Sequence, residues 1–384
     1  MSWILLPLRL CLAALAAPAA SAADTGGAVD RVPAPLDWVR ALPAARVEVH
    51  GDRHEVLIEL APVDLPAMSH MDMPAMSGMA AMNMDEHSAH NPVYPPVMGV
   101  DLPLTGWMSG FRIELVDSAG RPVPSELLHH YNLIDPNHRE LFLPISRRVL
   151  AAGSETGAVR MSRWLMGAPF IKGDRLIASA MLHNPTTRAY SGVRTRLILT
   201  YSGDGHWYPL LRAYPWQFDV AFPVGDKSFD LPPGRSEKFY EGSPAVAGKI
   251  VGIGGHVHDH ADSLVLRDVS TGAVIWRATP ITDSTGHVVA MPIKKFIGIT
   301  GIGVKIVPEH RYRVTVFYDN ETGHTLPDGG MGVVAGLFAP APDVSWPVAD
   351  QTDSLYVSDL RHALRLGEAA QLSAAGAGVE HSHH

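Results

Sequence analysis

The sequence predicts an all-β protein built from sandwich-type sheets, and two observations carry this prediction. Its 31 prolines and 35 glycines are scattered evenly along 384 residues, a distribution that disfavours long helices. Between them lie short apolar or alternating runs bounded by Gly, Asn and Asp, as in β-sandwiches. The length and the hydrophobic content of 46% suffice for two domains with separate cores.

The predicted strands fall into two groups, one in each predicted domain. The first domain covers residues 36–203, and its runs are 46–50, 55–59, 110–116, 176–183 and 193–201. The second domain covers residues 204–345, and its runs are 251–260, 263–268, 272–276, 312–318 and 331–338. The turn at 268–272 indicates a hairpin, and the weakly patterned stretch 202–216 is the predicted junction.

The first 23 residues are predicted to be a secretory signal peptide. Residues 3–22 are apolar apart from Arg9 and end in small residues up to Ala22. A membrane anchor is the alternative, but the run is short and contains Arg9 and Pro18. The only cysteine, Cys11, lies inside this segment, so the mature chain would hold neither disulfides nor thiolate ligands. We expect a periplasmic or secreted protein with no stable membrane anchor after cleavage.

The C-terminal segment, residues 346–384, is predicted to hold one short helix. Ser358 can cap it, residues 359–366 have helical propensity, and Gly367 can end it. The remainder is Ala/Gly-rich, ends in histidines, and is predicted to be a tail without fixed structure.

Charge and motif content exclude several classes of function. The net charge of −8 is mild and spread along the chain, so no footprint for nucleic acid appears. The chain also lacks a thiol nucleophile, a phosphate-binding glycine loop and a Gly-x-Ser-x-Gly nucleophile elbow. Any metal would therefore be held by His, Met or carboxylate.

A methionine-rich insertion interrupts the first predicted domain at residues 64–96. Seven of the 15 methionines fall within residues 68–84, accompanied by His70, His87 and His90. A helical methionine stripe that fills the core is one interpretation, but prolines and a glycine interrupt any helix here. We favour a loop that gathers copper through thioethers and acts as a copper donor.

His256 and His258 form the first candidate metal site. Residues i and i+2 of a strand project from the same face, so both imidazoles can reach one ion. The two glycines before them allow close approach of a backbone or ligand. His260 extends the same face and competes with a methionine for the role of third ligand.

His129 and His130 pose the opposite geometric problem, because adjacent residues of a regular strand face apart. Both can reach one ion only if the strand bends, bulges or ends there; otherwise one is a core histidine and the other a surface histidine. His183 ends a predicted strand, which would place it at a sheet rim. His138 looks like a turn histidine and is the reserve ligand.

These five histidines, together with Met331 in a glycine-rich turn, indicate copper chemistry. Two histidines and one thioether suit a copper that cycles through Cu(I), since the soft sulfur favours the reduced ion. Three histidines without sulfur make a different copper site. A chain with one of each could relay an electron from one copper and activate oxygen at the other.

The order of these motifs resembles the copper type II, ascorbate-dependent monooxygenases, which include peptidylglycine alpha-hydroxylating and dopamine beta-monooxygenases. From about residue 110 to 340 the chain runs His-His, Leu-His-Asn, Gly-Gly-His-x-His and a glycine-rich turn into Met. Leu231-Pro-Pro-Gly234 and Gly330-Met331 add to the likeness. The resemblance covers roughly the central two-thirds of the chain.

The resemblance implies a fold, two copper ions per chain and a reaction. The fold would be two antiparallel jelly-roll β-sandwiches that face each other across a cleft. An electron-transfer copper would be held by His129, His130 and His183. The oxygen-binding, catalytic copper would be held by His256, His258 and Met331. Ascorbate or a similar one-electron reductant would reduce both coppers, and O2 would hydroxylate a substrate C–H bond.

The positions that bind peptides in this family are not kept. An Arg that clamps the substrate carboxylate in the peptide-amidating members corresponds to Gly254, and polar Asn and Tyr residues correspond to Val333 and Ala335. A Gln that is thought to couple the copper centres corresponds to Met181, and the family's disulfides are absent. We therefore expect an apolar or neutral small-molecule substrate rather than a peptide.

The leading hypothesis is an exported dicopper monooxygenase, an oxidoreductase that acts on a small molecule with O2 and a reductant. The alternative is a non-catalytic periplasmic copper-binding protein for copper storage, buffering or resistance, which the methionine-rich insertion favours. A metal-free adhesion or scaffold sandwich would require six potential ligands to occur in this order by chance.

Overall fold

The first half of the chain is built almost entirely from strands. The computed structural model describes residues 34–67, 92–154, 156–205, 209–222, 227–298 and 301–366. The chain enters through helix α1 (Pro35–Arg40), and a 3-10 turn (Ser125–Leu127) precedes the sixth strand. The strands are β1 (Arg46–His50), β2 (Glu55–Glu59), β3 (Val63–Leu65), β4 (Met98–Asp101), β5 (Gly106–Val116), β6 (Leu128–Arg139), β7 (Ser146–Ala152), β8 (Val159–Arg160), β9 (Met166–Phe170), β10 (Arg175–Leu182), β11 (Tyr190–Gly203) and β12 (Leu211–Arg212).

The second half continues in the same way and closes with one helix, α2 (Ser354–Ala363). Its strands are β13 (Tyr214–Asp219), β14 (Phe229–Leu231), β15 (Gly234–Gly242), β16 (Gly248–Val257), β17 (Ala261–Asp268), β18 (Val274–Ala278), β19 (Ile281–Thr282), β20 (Val288–Ala290), β21 (Lys294–Lys295), β22 (Ile297–Gly298), β23 (Gly301–Ile302), β24 (Val304–Ile306), β25 (Tyr312–Asn320), β26 (Leu326–Gly330) and β27 (Gly332–Pro340).

The all-β prediction is confirmed, since strands make up 54% of the structure and helices 6%. The short C-terminal helix is present, but its predicted start is wrong. Asp353 caps it by accepting hydrogen bonds from the amides of Leu355 and Tyr356, at 2.8 and 3.4 Å, and Ser358 lies inside the helix. The predicted signal peptide lies outside the described residues, as does the tail beyond residue 366. Within the described ranges, no helix combines the length and apolarity needed to cross a bilayer.

Each half of the chain pairs its strands in the same pattern. In the first half, one sheet contains the order β2-β11-β5-β9 and the other is β4-β10-β6-β7. In the second half, one sheet contains β13-β27-β16, with β24 also paired to β16, and the other is β15-β25-β17-β18. In both halves, therefore, the last long strand lies between two strands from earlier in that half and pairs with both. The predicted boundaries, 36–203 and 204–345, stay predictions.

Two separate apolar cores show that the sheets of each half pack face to face. The first core joins Ile58 and Leu197 of one sheet to Tyr131 and Leu133 of the other. The second core joins sheet β13-β27-β16 to sheet β15-β25-β17-β18 through the buried side chains of Phe218, Ile253, Leu266 and Val316. These are the inward positions of alternating strands, as in sandwiches.

The loop between β6 and β7 fastens the first half to the second. Phe142 in this loop belongs to the second core, where it stacks on Phe218 with ring centroids 4.3 Å apart. Beside it, the Glu140 carboxylate is fully buried and accepts hydrogen bonds from the amides of Arg148 and Gln217, at 2.7 and 3.2 Å. One acidic side chain thus joins both halves.

The buried Glu140 carboxyl leads to a prediction about pH. Burial raises its pKa from 4.5 to about 7, against the opposing effect of the amides that donate to it. A folded-state pKa above the unfolded one means that stability is highest when both states are protonated and falls as pH rises from about 4.5 through about 7. We expect Glu140→Gln to flatten this part of the curve of unfolding free energy against pH, measured by urea denaturation. An unchanged slope would contradict the assignment.

Candidate metal site

The first pair of histidines sits on a β-bulge. β10 faces β6 with Met181 opposite His130, but the next residue, Leu182, is opposite Leu128, which leaves His129 as the additional residue of a bulge. A bulge bends its strand and redirects the side chains at that point. The two imidazole rings lie together as a result, with centroids 4.2 Å apart and planes tilted by 47°. The strand distortion that a shared metal site would require is therefore present.

His183 joins this pair from the adjacent strand. It follows the last residue of β10, and its amide donates a 3.0 Å hydrogen bond to the carbonyl of Leu127, just before β6. Its ring meets that of His129 edge-on, with centroids 6.0 Å apart. The three histidines predicted for the first site thus form one contact group.

His256 and His258 form a second group at the end of β16. Their rings are 5.5 Å apart and nearly perpendicular, and Nε2 of His256 and Nδ1 of His258 are both shielded from solvent. The expectation that His260 extends the same strand face is wrong. β16 ends at Val257, and His260 lies in a turn with a left-handed φ of 66°.

A glycine brings the strand of His256 close to its neighbours. A Cβ on Gly255 would lie 2.5 Å from Cδ2 of Leu264 and 2.7 Å from the carbonyl oxygen of Val333. Any larger residue would push β16 away from the sheet at the position that precedes His256. The close approach predicted for the glycines before the His-x-His pair is seen at Gly255.

The two groups of histidines touch each other. The ring of His130, from the first half, lies 6.1 Å from that of His256, from the second half, at an angle of 83°. A continuous series of ring contacts therefore runs through His183, His129, His130, His256 and His258. The resemblance implies two clusters of histidines that face each other across a cleft. In the structure the imidazole rings of the two clusters are instead in direct contact.

The donor set fits copper, although the rings are not yet arranged around an ion. Among the residues that the structure describes, no three His, Cys, Asp or Glu side chains surround a common point as ligands. Imidazole is a ligand for copper and thioether favours Cu(I), and five imidazoles already form a series in which each ring contacts the next. Binding would need side-chain rotations within a preassembled cluster.

Met331 occupies the junction between β26 and β27, where it is half-buried. Its backbone is hydrogen-bonded to the hydroxyl of Tyr318, which also accepts a hydrogen bond from the amide of His258 at 3.3 Å. Sequence reasoning missed Tyr318. Its only signal was a polar-tipped aromatic residue at the end of the apolar run 312–318.

Asp219 was also missed, and it lies in the same row of the sheet as His256. Val333 pairs with Asp219 on one side and with His256 on the other, so all three side chains share one face. The Asp219 carboxyl is fully buried, and burial raises its pKa to about 6 against the opposing charges of Lys227, Arg148 and His256. A carboxylate thus faces the cluster from within the protein.

Two other predicted residues take structural roles. His138 lies in a turn-like irregularity of β6, where residues 136–138 have no partners in the register with β7, and its Nδ1 is 2.7 Å from Oδ2 of Asp135. None of the ring contacts that define the cluster includes His138. Asp259, next to His258, accepts a 2.7 Å hydrogen bond from the amide of Val288 and lies 2.7 Å from Nδ1 of His287.

The methionine-rich insertion is anchored at both ends beside His183. Asn184 donates a 2.8 Å hydrogen bond from its side chain to the carbonyl of Pro66, before the methionines. After them, Val93 exchanges two backbone hydrogen bonds with Leu182, at 2.7 and 2.8 Å. Residues 68–91, with all seven methionines of the insertion, lie outside the described residues.

Comparison with known proteins assigns the chain to no family. No protein-family model and no curated protein matches it. The crystal structure of tripeptidyl peptidase 2 is 11% identical over 77% of this chain, with a TM-score of 0.19, and the matched part is 24% of that protein. A putative secreted protein from Parabacteroides distasonis is 11% identical over 78% of this chain and 93% of its own length, with a TM-score of 0.16. An infectious bursal disease virus structure is 9% identical over 87% of this chain and 90% of its own, with a TM-score of 0.16. These scores are too low to carry any argument about function.

Proposed function

We propose that this protein is an exported dicopper monooxygenase that hydroxylates a small molecule with O2 and a one-electron reductant such as ascorbate. One observation carries the proposal: five histidines from separate segments of both halves converge in one continuous cluster. Histidines with only a local structural role in their own strands would not be expected to converge where two sandwiches meet. The export step rests on the signal peptide predicted from the sequence.

The fold that goes with this proposal is a pair of jelly rolls. In a jelly roll, eight strands alternate between two sheets so that the last strand pairs between early ones. The orders β2-β11-β5-β9 with β4-β10-β6-β7, and β13-β27-β16-β24 with β15-β25-β17-β18, support this assignment. Each half would then present its histidines from strand ends at the same junction.

In the proposed site, one copper would be held by His129, His130 and His183, and the other by His256, His258 and Met331. Copper would supply one-electron transfer and the reduction of O2. The overall reaction takes a substrate C–H bond, O2, two electrons and two protons, and it yields a C–OH bond and water. The edge-on contact between His130 and His256 offers the two sites a short path for electrons through side chains.

The residues next to His256 that stand at the peptide-binding positions of the monooxygenases favour an apolar or neutral substrate. Gly254 pairs with Ala335 as His256 pairs with Val333, so these residues form adjacent rows on one face. A Cβ on Gly254 would meet only Ile293 within 4 Å, with Cγ1 at 3.3 Å. Gly254, Val333 and Ala335 thus bring to this face no charged or amide side chain that would hold a peptide carboxylate, although Gln217 and Asp219 of the neighbouring strand share it.

Oxygen incorporation tests the proposed reaction. The copper-loaded protein would be incubated with ascorbate, isotopically labelled O2 and a panel of neutral apolar compounds, with products analysed by mass spectrometry. We expect labelled hydroxyl in at least one product, and none with His256→Ala. Labelled product at the same rate from His256→Ala, or no substrate-dependent oxygen uptake across the panel, would contradict the proposal.

Copper storage is the second candidate function, and the anchoring of the methionine-rich insertion beside His183 favours it. Thioethers bind Cu(I), so a storage protein should hold Cu(I) well beyond two ions per chain. We expect replacement of the seven methionines by leucine to remove that excess Cu(I), measured by titration, and to leave turnover at saturating copper unchanged. Loss of turnover at saturating copper would show instead that these methionines serve catalysis.

A further inference from the structure

We propose that Tyr318 is the positioning residue of the second site, and that its hydroxyl fixes Met331 against His258. The proposal rests on the proposed function, because it concerns how two of the candidate copper ligands are held. It assigns to Tyr318 no contact with the metal or the substrate. Its action is on the backbone that carries both ligands.

The geometry uses every hydrogen-bonding capacity of this hydroxyl. Oη of Tyr318 donates to the carbonyl of Met331 at 2.5 Å and accepts from the amide of Met331 at 2.8 Å. It also accepts from the amide of His258 at 3.3 Å. A tyrosine hydroxyl has one donor and two acceptor positions, so three bonds complete its set.

The position of Met331 in the chain explains why it depends on such a contact. β26 ends at Gly330 and β27 begins at Gly332, so Met331 lies between two strands with a glycine on each side. Gly330 pairs with Phe229 and Gly332 pairs with Val257, whereas Met331 belongs to neither register, so its own backbone groups need another partner. Tyr318 binds both backbone polar groups of Met331 and thereby restricts that segment.

His258 needs the same support for a related reason. β16 ends at Val257, so His258 is the first residue beyond the ladder. The amide of His258 donates to the same hydroxyl oxygen that binds the backbone of Met331. This shared partner fixes the backbone positions of the two ligands relative to each other. Tyr318 itself is firmly placed, since its side chain is 1% exposed and its ring packs edge-on against Phe229, with centroids 6.0 Å apart.

The test compares Tyr318→Phe with Tyr312→Phe. Tyr312 is a matched control because it lies on the same strand and is also 1% exposed, and its hydroxyl accepts a 3.1 Å hydrogen bond from the amide of Val307, away from Met331. We expect Tyr318→Phe to bind Cu(I) at the second site about 10- to 100-fold more weakly and to lose sulfur scattering in X-ray absorption. Copper bound by the first site, and copper binding by Tyr312→Phe, should match the wild type. Wild-type Cu(I) affinity and sulfur scattering in Tyr318→Phe would overturn the proposal.

Hydrogen exchange of the metal-free protein separates this proposal from the proposed function, and the wild-type measurement does not depend on the folding of a variant. The wild-type amides of Met331 and His258 should be protected, and both should exchange faster in Tyr318→Phe but not in Tyr312→Phe. A Met331 amide that exchanges at the rate of an open loop in the wild type would overturn the positioning role. Absence of a second copper in a wild type whose Met331 amide is protected would count against the copper function alone.

Discussion

Replacement of Met331 by isoleucine is expected to abolish turnover and leave the first copper bound. Isoleucine keeps the apolar volume but removes the thioether, the one soft donor among the six candidate ligands. Without it, the second site loses its preference for Cu(I), the state that must react with O2. We expect kcat/KM to fall at least about 100-fold, a magnitude typical of lost metal-site support.

Met291→Ile is the matched control for this experiment, because Met291 is a partly buried methionine packed on the second core. Its copper content and oxygen uptake should equal those of the wild type. Electron paramagnetic resonance of the Cu(II) form would follow the first site in both variants, and its three-histidine signal should persist in Met331→Ile. Wild-type turnover in Met331→Ile would show that the thioether is not a ligand of the catalytic copper. It would also contradict the resemblance from which this role is taken.

The second large effect is expected on stability, from the ion pair that docks helix α2. Nη1 and Nη2 of Arg148 each lie 2.6 Å from an oxygen of Asp359, and the two side chains are 8% and 1% exposed. Breaking one partner of such a buried pair leaves a charge without compensation and costs about 3–5 kcal/mol. We expect Asp359→Asn to lower the unfolding free energy by this amount in urea denaturation.

Two comparisons make that measurement decisive. Arg235→Gln removes an exposed pair, since Arg235 is 86% exposed and 3.1 Å from Asp319, and it should change stability by less than about 1 kcal/mol. Replacing both Arg148 and Asp359 by Met and Leu should be less harmful than Asp359→Asn alone, because neither member of the pair is left charged, although the buried Glu140 and Asp219 lose the attraction of Arg148. A loss below about 1 kcal/mol in Asp359→Asn would show that the helix does not depend on this pair.

Local pattern predicted some strands to within a residue and missed others, among them β6, β7 and β13. β1 and β2 have the predicted bounds, and β25 begins at the predicted Tyr312, since alternation with period two marks such strands. The helix start was missed because both Asp353 and Ser358 can cap, and only the hydrogen bonds of Asp353 decide between them. Sequence periodicity does not contain that information.

The candidate site also combines features that local sequence predicts with features that depend on pairing and packing between segments. Residue types and spacing identified His129, His130 and His183, and the structure brings their rings together. The bulge at His129 depends on register with β10, and the contact between His130 and His256 depends on how two sandwiches dock. Neither could be derived from one strand at a time.

The same reason explains the residues that were misplaced or missed. His260 fits the period of β16 but lies beyond the strand, in a turn that local spacing does not reveal. Tyr318 and Asp219 reach the site only through pairing across the sheet or a hydroxyl that spans two segments. Residue types at a metal-ligand spacing point to the ligands and not to the groups that hold them.

Copper stoichiometry of the mature protein without residues 68–91 tests the central claim most directly. The deletion keeps Pro66 and Val93, whose hydrogen bonds hold the segment ends beside His183, and removes the competing thioethers. We predict two tightly bound coppers per chain in this deletion variant. With the further substitution His256→Ala, we predict one. One copper or none in the deletion variant itself would contradict the two-site model.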